Sequence, residues 1–124
     1  MSNEIQSSKI NNKNKYDLEE RTANFGENVI DFTKKLSNDP INRPLISQLV
    51  KSATSIGANY VEADGAESKK DFKHKIAICK KESKETKHWL RMIVKANIET
   101  RKECEKLWQE AQELTLIFSA IFKK

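Results

Sequence analysis

Residues 68–97 read SKKDFKHKIAICKKESKETKHWLRMIVKAN. Within them Phe72, Ile76, Cys79, Ser83, Thr86, Leu90, Ile93 and Asn97 recur at alternating steps of four and three. That step marks the heptad seam of a helix packed on other helices, whereas a half-buried strand would alternate every two residues. The register holds for about 30 residues, or roughly 45 Å at 1.5 Å per residue. Its middle is polar. Ser68, with Asp71 three residues on, is a cap signal for the start of this helix, which is predicted over 68–97.

Similar seams lie on either side. Toward the C-terminus, Cys104, Leu107, Ala111, Leu114, Phe118 and Ile121 define a helix over about 100–122, with Thr100 and Glu103 as its expected cap. Upstream, Ile46, Leu49, Ala53, Ile56, Tyr60 and Ala63 define a helix over about 43–64, opened by Pro44 and stopped by Gly65. Before it, Leu18, Phe25, Val29, Phe32 and Leu36, with Thr22 in the gap, define one over about 17–37. Asp17 with Glu20 opens that helix, and Ser37-Asn38-Asp39-Pro40 closes it. The links are short, and short links force neighbouring helices antiparallel. The fold class is therefore all-α, an antiparallel up-down four-helix bundle spanning residues 16–124.

Composition agrees. The 124 residues contain three Gly and two Pro, too few for the turns of a sandwich or barrel, and 33% are charged. One domain and one core fit that length. Residues 1–15 are rich in Ser, Asn and Lys without a period, and predict a disordered tail. This polar start carries no secretory signal pattern, and no apolar run is long enough for a membrane span. The expected location is the cytoplasm.

The net charge is +5 and is unevenly spread. Residues 67–97 hold ten Lys and Arg against four Asp and Glu, a net +6, while 16–41 hold three against six, a net −3. One flank of the third seam reads Lys69, Lys73, Lys80, Lys84, Lys87, Arg91 and Lys95. It fits either a stripe facing phosphates or a solvated helix face that keeps a bundle soluble. The other flank carries Asp71, Ile78, Glu82, Glu85 and Trp89. Trp89, Trp108 and Phe122 lie just off the seams and fit either a broad core or a subunit interface.

A second polar feature runs along the 43–64 helix, where Ser52, Ser55, Asn59 and Glu62 recur at steps of three, four and three. Facing Ser83, Thr86, Glu82 and Glu85, it predicts a hydrogen-bonded layer between helices or a binding face. Catalytic patterns are missing. His74 and His88 are the two histidines, with no Glu-x-x-His motif, no Cys/His cluster of zinc spacing and no Gly-rich phosphate loop. No enzyme activity, metal or cofactor is expected. Cys79 and Cys104 would sit roughly 20 Å apart in a hairpin turning near Ile98, too far for a disulfide.

The stretch from Gln48 to Gly65 (QLVKSATSIGANYVEADG) resembles a hallmark of one family, as do Ser68 to Phe72, Ile76 to Ile78, Lys81 to Arg91 and the ending from Ala111 to Lys124. The family is that of the bacterial four-helix-bundle proteins encoded in intervening sequences of 23S ribosomal RNA genes. Lys51 stands where that family often has Arg, and Tyr60 where Ile is common. The resemblance covers residues 16–124 and implies an up-down bundle assembled as a homopentamer. A related branch, the accessory proteins of diversity-generating retroelements, binds nucleic acid and a reverse transcriptase through a basic surface. The expectation is therefore a non-catalytic oligomer that binds structured RNA or DNA through the third helix. The competing expectation is a protein–protein adaptor with no nucleic-acid role.

Overall fold

The structure is a computed structural model that describes residues 17–124, and the expected tail at 1–15 lies outside them. Among the described residues the four α-helices are α1 (Leu18–Thr33), α2 (Asn42–Asp64), α3 (Lys69–Ala96) and α4 (Arg101–Lys123). A single 3-10 turn, Ile98–Thr100, joins α3 to α4. No strand occurs among the described residues.

Cross-helix contacts give the topology. Thr22 lies against Gly57, and Gly26 against Thr54, so α1 and α2 run in opposite directions. Asn42 meets Asn97, Ser52 meets Thr86, Ile56 meets Cys79 and Glu62 meets Lys75, so α2 ascends as α3 descends. Lys73 reaches Phe122 while Lys87 reaches Trp108, which makes α3 and α4 antiparallel as well. Arg21 of α1 and Lys35, just past its end, close the ring on Glu110 and Glu103 of α4. α1 and α4 pack least closely, and their shared groove is floored by Phe25, Phe32 and Leu107.

Each seam faces inward as the heptads require. Phe25, Val29, Leu49, Ile56, Ile76, Leu90, Ile93, Leu114 and Phe118 are all buried in one cluster. Polar seam positions are satisfied locally. The Thr22 hydroxyl donates to Leu18 O at 2.6 Å, Ser83 to Cys79 O at 2.8 Å and Thr115 to Ala111 O at 2.8 Å. Such back-bonding lets a hydroxyl sit in a core without an unmet donor.

The ends differ from the sequence expectation in three places. α1 stops at Thr33, not 37, because Lys35 N and Leu36 N bond three residues back, to Phe32 O and Thr33 O, and tighten the last turn. Leu36 still packs against the core. α2 begins at Asn42, where the Asp39 carboxylate accepts from Ile41 N at 3.0 Å and Asn42 N at 2.8 Å. Thr100 does not cap α4 with its side chain. Its hydroxyl instead donates to Asn97 O at 2.7 Å, inside the turn. The Asp17 and Ser68 caps form as expected, accepting from Glu20 N and Asp71 N.

One polar pair crosses the bundle end. Asn42 Nδ2 donates to Asn97 Oδ1 at 3.1 Å, and Asn97 Nδ2 donates back to Asn42 Oδ1 at 2.9 Å. Both side chains are buried, at 2% and 8% exposure. The remaining amide protons go to Ser37 O and Ile93 O, each at 3.0 Å. Removing one partner strands a buried amide, which costs about 1–3 kcal/mol. Asn97→Ala should therefore lower stability to urea by that amount, and Asn42→Ala should add little in its presence, a coupling that a double-mutant cycle measures.

The two helical glycines of the α1–α2 contact should behave differently. A Cβ at Gly26 meets Thr54 Cγ2 at an ordinary 3.5 Å, whereas one at Gly57 meets Thr22 Oγ1 at 3.1 Å. Gly26→Ala should stabilise by about 0.5–1 kcal/mol, the usual helix gain. Gly57→Ala should gain less or lose, as thermal melts of the two variants will show.

Candidate nucleic-acid interface

The heptad of α3 sorts its side chains into two flanks, and the neighbours decide what each flank does. Lys75, Glu82 and Trp89 face α2. Lys73, Lys80 and Lys87 border α4 and are half-buried. Next to that border, Lys69, Lys84, Arg91 and Lys95 are exposed. The predicted basic stripe is thus one continuous edge with two layers.

Its inner layer is partly committed to packing. The Lys87 ammonium sits 5.2 Å from the Trp108 ring centroid and donates to Gln112 Oε1. The Lys73 ammonium sits 5.3 Å from the Phe122 centroid. Both side chains lay their stems along α4 and keep their charge at the surface. Among the described residues, Lys80, Lys84, Arg91 and Lys95 form no ion pair. Four carboxylates of the bundle are engaged elsewhere. Arg21 grips Glu110 through Nε at 2.7 Å and Nη2 at 2.8 Å and reaches Glu113 at 2.8 Å, Lys35 pairs with Glu103, and Lys75 with Glu62 at 2.6 Å. The outer layer therefore keeps its positive field, which is what phosphate attraction requires.

The aromatic trio does not form one patch. Trp89 is half-buried at the heptad position of Lys75, whose ammonium pairs with Glu62 of α2, and its ring lies edge-on to His88 at a centroid distance of 4.8 Å. Trp108 and Phe122 lie on the α3-facing flank of α4 and are each 40% exposed. Sequence spacing could not separate them, because a residue just off a seam can fall on either flank.

The polar stripe of α2 is mostly self-satisfied. Ser55 Oγ donates to Lys51 O at 2.6 Å, and Asn59 Nδ2 to Ser55 O at 2.8 Å. Ser52 is buried and accepts from Thr86 Oγ1 at 3.0 Å, the one hydroxyl bridge of the expected layer. Glu62 leaves the stripe to pair with Lys75. Glu82 is half-buried near Glu85. Burial first, and then the Glu85 charge, push its carboxyl above the usual range, against the pull of Lys81 and Lys51.

The thiols lie in the core. Burial pushes Cys79 up to about 12, and its Sγ donates to Ile56 O at 3.5 Å. Cys104 is also raised by burial, and its Sγ lies 3.7 Å from Thr100 Oγ1. Neither thiol is bonded to the other. Among the described residues no three His, Cys, Asp or Glu converge as a metal site, and no helix is long and apolar enough to cross a membrane.

These features define a class: an all-α up-down bundle whose third helix carries an unneutralised basic edge. The family described as 23S rRNA-intervening sequence protein matches residues 14–120, and the chain belongs to it. The chain is also similar to a crystal structure from Bacteroides thetaiotaomicron of a protein with unknown function from the S23 ribosomal protein family. The two are 30% identical with a TM-score of 0.78, over 86% of this chain and 98% of that one. Comparison with curated proteins found no match.

The Glu82 environment yields a pH test. Its raised pKa means that ionisation is harder in the folded than in the unfolded chain. The stabilising contribution is present when the group is protonated and is lost as pH rises through the folded pKa. Glu82→Gln should therefore raise Tm at neutral pH, and the difference should shrink as pH falls through the raised folded pKa and be largely gone by about pH 4, below the unfolded value. Paired thermal melts across that range check the sign.

Proposed function

We propose that this protein is a non-catalytic RNA-binding bundle that works as a homo-oligomer. The observation that carries the reading is the basic edge of α3: Lys84, Arg91 and Lys95 of its outer layer and Lys80 of its inner one form no ion pair among the described residues, so the stripe keeps its net positive charge. A straight helix edge of this kind contacts the phosphate backbone and positions the protein without reading bases. A structured RNA is the best match, in keeping with the 23S rRNA intervening sequences from which the family takes its description.

Self-assembly, with a pentamer as the family expectation, has support in the surface of α4. Leu116 and Phe122 remain exposed there although the core is complete without them. A ring would repeat the basic edge in every subunit and multiply a weak contact.

The test is binding of a structured RNA to the full chain at low and moderate salt, with mass followed by light scattering. Reversing Lys80, Lys84, Arg91 and Lys95 to Glu should abolish binding and leave the circular dichroism unchanged. Neutralising them singly should flatten the dependence of log affinity on log salt by about one per residue. If the wild-type protein binds no RNA at low salt, the proposal fails.

A further inference from the structure

Where α3 turns into α4, the basic edge runs into an apolar slot of about 410 Å³. Its floor is the buried pair Leu90 and Cys104, so the slot reaches down to the core. Val94, Ile98 and Trp108 form walls. Ile98 is 63% exposed and Trp108 40%, so two large apolar side chains are left facing water at one spot. The volume falls in the range of small-ligand sites, about 300–1,000 Å³.

The rim says what such a slot would take. Arg91, Lys95 and Arg101 stand around it, against the lone carboxylate of Glu105. None of the three cations forms an ion pair among the described residues. A purely apolar ligand would gain nothing from three cations, and a free anion would gain nothing from a tryptophan wall. A nucleotide unites a flat π surface with an adjoining phosphate, and matches both.

Resting on the RNA-binding reading above, we infer that this slot holds an unpaired base of the bound RNA, stacked on Trp108, with its flanking phosphates on Arg91, Lys95 and Arg101. The rest of the edge touches phosphate alone and accepts paired or unpaired strands. The slot does not, because bases of a duplex stay stacked on one another, whereas loops and bulges can splay a base outward onto an aromatic ring. Stacking on an aromatic face tolerates any base. The partner is therefore an RNA with single-stranded loops or bulges, recognised by the availability of an unstacked base and not by its sequence. This also gives the 3-10 turn a role, since it holds Ile98 out opposite Trp108.

The experiment uses the full chain carrying Trp89→Phe, which leaves Trp108 as its single tryptophan. Titration with a short oligouridylate should quench Trp108 fluorescence, whereas an RNA duplex of the same length should bind with salt-dependent affinity and little quenching. Trp108→Ala should weaken oligouridylate binding about five- to hundredfold while changing duplex binding little, and Trp108→Phe should restore most of the loss because a ring is kept. Equal quenching by the duplex, or unchanged oligouridylate affinity in Trp108→Ala, overturns the base-stacking inference and leaves the phosphate-binding proposal standing. Absence of binding by either RNA at low salt overturns both.

Discussion

The reciprocal amide pair of Asn42 and Asn97 is the constraint on which the bundle's register rests. Hydrophobic seams alone tolerate sliding, because Leu on Ile is worth nearly the same one turn along. Two buried amides are not tolerant. A slip of α2 against α3 would leave the Asn42 and Asn97 side chains without partners in a place closed to water, at about 1–3 kcal/mol for each stranded group. With the pair in place, Ser52 falls opposite Thr86, Ile56 opposite Cys79 and Glu62 opposite Lys75. The pair also anchors both loops at that end, through Ser37 O on one side and the turn after Ile93 on the other.

From that register follows the division of labour on α3. α3 has neighbours on two sides, and Lys73, Lys80 and Lys87 along its α4 border are half-buried while its outward face is exposed. Lysine suits that border, since its stem covers apolar surface while its head stays wet. Lys73 and Lys87 do this against Phe122 and Trp108. The cations one step further out form no ion pair among the described residues, and Glu103, Glu110 and Glu113 of α4 point to the opposite flank, held by Arg21 and Lys35, which leaves Glu105 as the α4 carboxylate beside the edge. The ion pairs that close the loosest helix contact thus also keep negative charge away from the basic edge.

Much of the fold was legible without coordinates. Four heptad seams, each bounded by recognisable caps and breakers, specified helix number, approximate length and inward faces, because a seam's period depends on local geometry alone. The Asp17 and Ser68 caps were readable for the same reason. Thr100 and Glu103 carried an equally good cap signal, yet the hydroxyl turned to Asn97 O, since the tight turn put that carbonyl nearer. Asn42 gave no sign of its role, because its partner lies 55 residues away.

Of the candidate interface, sequence determined the composition: a helix with ten cations, a polar stripe on its neighbour and three large aromatics off the seams. Only the tertiary structure decided which of these share a surface. It placed Trp89 on the α2 side and Trp108 with the lysines, turned the stripe of Ser55 and Asn59 back on its own helix, and joined Ile98 to Trp108 across a turn. The reason is physical: helical periodicity fixes the angle of a side chain about its own axis, whereas the identity of what it faces depends on the rotation and offset of neighbouring helices, which packing and a few buried polar bonds select.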